Sequence, residues 1–359
     1  MNILWTFFML QKKLFKSYSF IHSNGFFIAG CCIEMNTIKV LFLCFFYKSP
    51  DCIGTIPTPL ILRQCSNNGY ISQILHYIFG RQRKNLGIHS RYIDGTVLEP
   101  GFELDELMSP IIALEAYVNE TGDREILDDA NVQNGIRQIL KTLTAMKHPE
   151  VELYETFLQP TDDEIVHPYL TYNNMLVWRS MKALAKLYPD KYAELDQQAE
   201  EVKNAIYKHC VFNDSEGKPY FGWSIDLKGQ HNIYDEPPGS LQLFPYYGFC
   251  DSNDEIWCNT VSMIRSPAYE YSFADSPIAE IGCAHAPYPW ILSLCNSLLC
   301  GHAEQAFREL EILEMDNGIA CESVDPVKGT CTTGAAFATC AGFLCHSMKT
   351  AHEEGRYEK

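Results

Sequence analysis

From Asp94 onward the chain falls into helix-length segments with no strand–helix–strand rhythm between them, and that succession restricts the fold more than any other feature. Leu107 to Asn119 carries apolar residues at helical spacing, with Ser109-Pro110 in its first turn and a stop at Thr121-Gly122. Asp123 is placed to cap a second helix toward Met146, with Ile126, Leu127, Ile136, Ile139, Leu140 and Leu143 facing inward. Pro168 to Tyr188 and an amphipathic Tyr192 to His209 follow, then a short aromatic strand within Tyr220 to Leu227. Further helices are expected around Ser240–Tyr247, Asn253–Ser262, Pro289–Cys300, His302–Met315 and Thr333–Glu354. The pattern predicts an all-α domain. Paired helices set around a toroid are the natural large solution with a central cleft, although periodicity alone does not separate a toroid from an open bundle.

Charge narrows the partners. Of the formal net charge of −17, residues 1–90 hold nine Lys/Arg against two Asp/Glu, so the acidic excess lies entirely in residues 91–359. An acidic body argues against nucleic acid and against an anionic membrane, and it suits a neutral substrate. The 15 cysteines include no C-x-x-C pair, and several lie on apolar helical stretches, where a free thiol behaves as a small hydrophobe. A reduced, cytoplasmic protein is expected, with no metal site and no cofactor. Twenty Tyr, 20 Phe and five Trp would serve a sugar-binding cleft, and would equally serve a large core.

Residues 1–88 differ from the rest. Residues 1–70 are poor in acids and show no sustained period of 3.6 or 2. The apolar runs Phe26 to Ile33 and Ile38 to Tyr47 are short of the about 20 residues a bilayer span needs. Lys12, Lys13 and Lys16 precede a mixed segment without a convincing cleavage site. The expectation is an atypical extension over 1–88, and a catalytic domain over 89–359 that starts at the composition change near Gly87 to Tyr92.

Three loops set carboxylates among small and aromatic residues. Phe157 to Glu164 holds Asp162 and Asp163 and runs toward Asn174; acids there would also complement a helix N-terminus. Tyr234 to Ser240 holds Asp235 and Glu236 ahead of two prolines and a glycine, which make a rigid loop able to aim either acid. Gly318 to Asp325 holds Glu322 between an apolar approach and a small-residue helix, where neighbours can set a carboxyl pKa. Between the last two, Ile281 to Trp290 places His285 among small residues with Tyr288 and Trp290 beyond it. These could bond a hydroxyl and stack on a sugar ring, or simply complete a core.

Taken in order, four stretches resemble glycoside hydrolase family 125, the metal-independent exo-acting α-mannosidases. The family's F-R-P-S-D-D, leading to an Asn on a helix, is similar to Phe157 to Asp163 with Asn174. Its D-D-A-N-V-P-S-L-L-S-L-P-Y-L-G is similar to Asp235 to Gly248, in register through Ser240-Leu241 and Pro245-Tyr246. Its G-S-P-H-T-P followed by Trp is similar to Gly282 to Pro287 with Trp290. Its H-E-S-F and F-A-W-A are similar to Cys321 to Val324 and Phe337 to Cys340. The likeness runs over residues 95–350.

This resemblance implies an (α/α)6 toroid, possibly incomplete at its N-terminus, and an inverting mechanism on an oligosaccharide. One carboxylic acid protonates the departing oxygen while a carboxylate roughly 6.5–9.5 Å away activates water. Carried over by position, Glu322 is the base and Asp235 the acid, with Glu236 in reserve; Asp105, Asp162, Asp163, Asn174, Glu236, His285 and Trp290 are the implied substrate-binding residues. The family's W-L-R-D segment corresponds to Glu103-Leu104-Asp105 and its R-P-W to Gly334-Ala335-Ala336, so cationic and aromatic contacts of the sugar subsite are replaced. Alternatives are a glucoamylase-like toroidal glycosidase, a phosphorylase (for which Lys328 is the only cation near Glu322 in sequence) and a catalytically impaired carbohydrate-binding relative.

Overall fold

The computed structural model describes residues 33–34, 68–92 and 94–356. Among these, helices α1 (Asn68–Gly80), α2 (Leu104–Thr121), α3 (Ala130–Met146), α4 (Thr171–Leu187), α5 (Glu194–His209), α6 (Glu255–Ile264), α7 (Ile291–Leu299), α8 (Ala303–Ile312) and α9 (Ala338–Glu353) carry the architecture.

Burial sorts the helices into two kinds. α2 buries 14 of its 18 residues, α4 13 of 17, and α7 all nine. α3 buries only Val132, Gly135, Ile136, Ile139 and Leu143, and α5 only Leu195, Ala199, Val202, Ala205 and Ile206. A single stripe at spacings of three and four marks a helix with one face in water, and burial all round marks one enclosed by others. Inner α2 and α4 pack on each other, α5 backs α4, α3 backs α1, and α7 packs between α8 and α9. Gly135 lets α3 meet α1, because a Cβ there would stand 2.5 Å from the Phe79 ring.

Strands are short and their pairings antiparallel. β1 (Ile33–Glu34), β2 (Ile88–Arg91) and β3 (Val97–Phe102) form one sheet in that order. β4 (Tyr169–Leu170), β7 (Ser224–Ile225) and β8 (His231–Asn232) form another. β5 (Val211–Asn213) pairs β6 (Pro219–Phe221), and β9 (Ser323–Val324) pairs β10 (Cys331–Thr333).

Several local expectations change. Asp123 heads a 3-10 turn, Glu125–Asp128, and it is Asp129 that caps α3, its Oδ1 accepting from the Asn131 and Val132 amides. α2 starts three residues early, so Pro110 lies in its second turn rather than its first. The expected helix over Ser240–Tyr247 is only a 3-10 turn, Leu241–Leu243, because Pro245 lacks the amide that would continue it and Gly248 turns left-handed. The helix expected from Thr333 starts at Ala338, since Cys331–Thr333 is drawn into pairing with β9. Pro168 to Tyr188 opens as strand, and Tyr220 to Leu227 splits between β6 and β7.

The boundary expected at residue 88 also moves. α1 precedes it, and Ile71, Ile74, Leu75, Ile78 and Phe79 lie in the same apolar core as α2 and α4. The folded body therefore includes residues read from composition as extension. Residues 1–32 and 35–67, with the remainder of that expectation, lie outside the described residues. No helix among the described residues is long and apolar enough to cross a membrane, and the ten described cysteines are free thiols.

Two apolar clusters build the core, one around α1 to α6 and one around α7, α8 and α9. Tyr234 packs against both. The loop that carries Asp235 and Glu236 thus lies at their seam.

Candidate active site

Asp235 and Glu236 are both fully buried, with different surroundings. Asp235 turns back on its own chain: Ser240 Oγ donates to Oδ2 at 2.5 Å and the Leu241 amide donates to Oδ1 at 2.8 Å. Its own amide donates to the Tyr269 hydroxyl at 2.9 Å. Burial pushes the Asp235 carboxyl up to about 7, and the hydrogen bonds from Ser240 and Leu241 oppose that rise. Both oxygens close the turn that the Pro-Pro-Gly stretch begins.

Glu236 points elsewhere. Its Oε1 accepts from the Thr161 hydroxyl at 2.7 Å, while its Oε2 makes no hydrogen bond. Burial pushes this carboxyl well above the ordinary range; the Asp163 charge adds to the rise, and the Thr161 and Tyr234 hydroxyls oppose it. Thr161 Oγ1 also stands 3.2 Å from Asp163 Oδ2, which lies 3.1 Å from His285 Nδ1. The Tyr234 hydroxyl accepts from the Ala284 amide at 2.9 Å. The loops 157–164, 233–240 and 282–290, far apart in sequence, are therefore laced together around Glu236.

Glu322 reaches the same place from the fourth stretch. Its amide donates to the Gly334 carbonyl at 3.1 Å and its carbonyl accepts from the Ile291 amide at 3.0 Å, which pins it between β10 and the start of α7. Gly334 has φ +56°, and a Cβ there would stand 2.4 Å from the Glu322 Cβ. The Cys283 thiol lies within electrostatic reach of both acids. Burial pushes that thiol up, and the negative charges of both Glu236 and Glu322 reinforce the shift.

The remaining expected residues divide. Asp163 and His285 form the pair just described, at the exposed rim. Asp105 is buried at the start of α2 and accepts from Asn173 Nδ2 at 3.0 Å. Asn174 braces the backbone, since its Nδ2 donates to the Tyr154 and Leu170 carbonyls and its Oδ1 accepts from the Tyr154 amide. Those contacts occupy the side chain, so it is a tether and not the sugar contact expected. Trp290 is 2% exposed and its Nε1 donates to the Ala286 carbonyl at 2.9 Å, so its ring is core and offers no stacking face. It meets the His285 ring edge-on at 6.2 Å.

Asp162 adopts a left-handed φ of 69° and sets Oδ1 3.3 Å from His89 Nδ1, which is also 3.0 Å from Glu103 Oε1. Among the described residues this is the group whose ligand atoms come close enough to hold an ion. The two carboxylates push the His89 ring up to about 11, against its burial. His89, Glu103 and Thr161 were not singled out from sequence. A Thr beside paired acids is unremarkable, and His89 is the first residue after the stretch set aside by composition.

Residues 147–348 match the model of the family described as metal-independent alpha-mannosidase (GH125). Among solved structures, a metal-independent alpha mannosidase of Streptococcus pneumoniae, in a non-productive complex with alpha-1,6-mannobiose, is similar with a TM-score of 0.73 and 16% identity, over 96% of this chain and 98% of that one. A bacterial glucoamylase complexed with acarbose is similar with a TM-score of 0.60 and 14% identity, over 81% of this chain and 50% of that one. Glucoamylase from Saccharomycopsis fibuligera gives a TM-score of 0.61 at 11% identity, over 88% of this chain and 85% of that one. At these identities the likeness is one of fold, and it is the all-α toroid that the family resemblance implied. No curated protein sequence matches the chain.

Proposed function

Because the chain belongs to the metal-independent alpha-mannosidase family GH125, and is therefore a glycoside hydrolase, we propose that it cleaves α-linked mannosides from the non-reducing end with inversion, using Glu236 as acid and Glu322 as base. The observation that carries the acid assignment is the free oxygen of Glu236. A general acid must be neutral before it acts and must present its proton to the departing oxygen. Glu236 is buried, so its neutral form is favoured, and its Oε2 accepts no hydrogen bond within bonding distance. Asp235, the acid expected by position, has both oxygens engaged by Ser240 and Leu241; its proposed role is to hold the turn that aims its neighbour.

In the proposed reaction Glu236 protonates the glycosidic oxygen as the bond to the anomeric carbon lengthens. Glu322 takes a proton from a water on the opposite face of the ring, and the attack yields the β-configured sugar. Gly334 supports this role for Glu322, since its missing Cβ leaves room for the Glu322 side chain. The complex of the Streptococcus pneumoniae relative with alpha-1,6-mannobiose makes that disaccharide the first substrate to try. Residues proposed to face the sugar are Asp105, Asp162, Asp163 and His285.

The test is hydrolysis of a panel of aryl α-glycosides and mannobioses followed by proton NMR of the first sugar released. Release of β-mannose supports the reading. Release of the α anomer overturns inversion, and turnover of glucosides over mannosides moves the specificity toward the glucoamylases.

A further inference from the structure

Glu236 is shut off from solvent, yet an acid that gives up a proton in each turnover must recover one before the next. A route is visible. Glu236 Oε1 accepts from Thr161 Oγ1 at 2.7 Å; that oxygen stands 3.2 Å from Asp163 Oδ2, which lies 3.1 Å from His285 Nδ1. The Asp163 and His285 side chains are 45% and 40% exposed. Three contacts thus join a sealed carboxyl to groups in contact with water. We propose that Thr161 is a positioning residue that relays a proton from the solvent-exposed Asp163–His285 pair to Glu236 after each turnover, an inference that rests on the reading of Glu236 as the acid.

The step is a proton transfer and balances as one. Asp163 Oδ2, protonated from water or by the His285 imidazolium, passes its proton to Thr161 Oγ1, and the Thr161 hydroxyl proton moves to Glu236 Oε1. One O–H bond forms at each oxygen that receives a proton and one breaks at each that gives, and the hydroxyl then rotates back. The matching proton, taken from the attacking water by Glu322, leaves to solvent. The titratable groups acting on Glu236 are Asp163 from the facing loop, Tyr234 and Asp235 beside it, and Tyr269 and Cys283 from neighbouring segments. None of these is a cation that would hold Glu236 ionised, so the spent carboxylate draws a proton inward.

Thr161→Val removes the hydroxyl while keeping the branched shape. Steady-state rates on alpha-1,6-mannobiose and on 2,4-dinitrophenyl α-mannoside, measured from pH 5 to 9, read the effect. Mannobiose turnover should fall by about tenfold or more, the scale of a proton-transfer contribution. The dinitrophenyl substrate, whose leaving group needs no proton, should lose far less, and Thr161→Ser should restore the mannobiose rate. The alkaline limb of kcat should move to lower pH, because proton supply now limits. Loss of a hydrogen bond to the charged carboxylate alone would move it upward, since the hydroxyl favours the ionised form. An upward shift, an equal loss on both substrates, or a wild-type rate on mannobiose overturns the relay. Should Thr161→Val not fold, Asp163→Asn at the rim cuts the next link, and the same dependence on leaving group is required of it. Glu236→Gln separates the two claims: if that variant stays active the acid assignment fails, whereas an inactive Glu236→Gln beside a fully active Thr161→Val defeats the relay alone.

Discussion

Asp235 and Glu236 are adjacent, equally buried, and oppositely directed: Asp235 bonds through both oxygens to Ser240 and Leu241, while Glu236 bonds through one oxygen to Thr161 and leaves the other without a hydrogen bond. An extended backbone at Glu236, φ −129° and ψ 130°, sends consecutive side chains to opposite sides.

That divergence sets the first prediction. Glu236→Gln should lower kcat on mannobiose by about 10²–10⁴-fold, the usual contribution of a general acid, with little change in Tm. Asp235→Asn should instead act on stability, costing about 1–3 kcal/mol through a buried turn left with a poorer acceptor. Thermal melts and rates on the two variants check both; an inactive, stably folded Asp235→Asn beside an active Glu236→Gln would reverse the assignment.

Glu322→Gln should abolish hydrolysis while the melting temperature stays near that of the wild-type chain, because its backbone bonds to Gly334 and Ile291 survive the change. A large drop in Tm would mark Glu322 as a structural residue.

Gly334→Ala tests the support of the base. A side chain at φ +56° costs roughly 1–2 kcal/mol, and the added Cβ would press on the Glu322 Cβ at 2.4 Å. The expected outcome is a fall in kcat larger than the accompanying fall in Tm explains, with KM changed less.

His89 makes stability depend on pH. Its folded pKa lies at about 11, raised chiefly by its hydrogen bonds to Asp162 and Glu103, above the ordinary 6.5. A raised pKa means the folded state binds the proton more tightly, so the contribution is complete below pH 6.5 and is lost as pH rises toward 11. Denaturation of the wild-type chain and of His89→Gln should therefore differ most below pH 6.5 and converge in strong alkali. A stability difference that grows with pH would show that His89 is not charged in the fold.

The helical period and the stop signals, read from single segments, were enough to place most helices and an all-α class, while the toroid came from the family resemblance, because an amphipathic stripe and a left-handed glycine such as Gly122 act only within a few residues. The motif order likewise brought the loops holding Asp235, Glu236, His285 and Glu322 to attention. Sequence could not say which of two adjacent acids keeps a free oxygen, since that depends on Ser240 curling back to one and Thr161, 75 residues away, reaching the other. Nor could it show that Trp290 is buried, that Asn174 is spent on backbone, or that α1 joins the core despite its composition. Local periodicity is written into neighbouring residues, whereas the solvation and partners of a carboxyl are set by segments that meet only once the chain has folded.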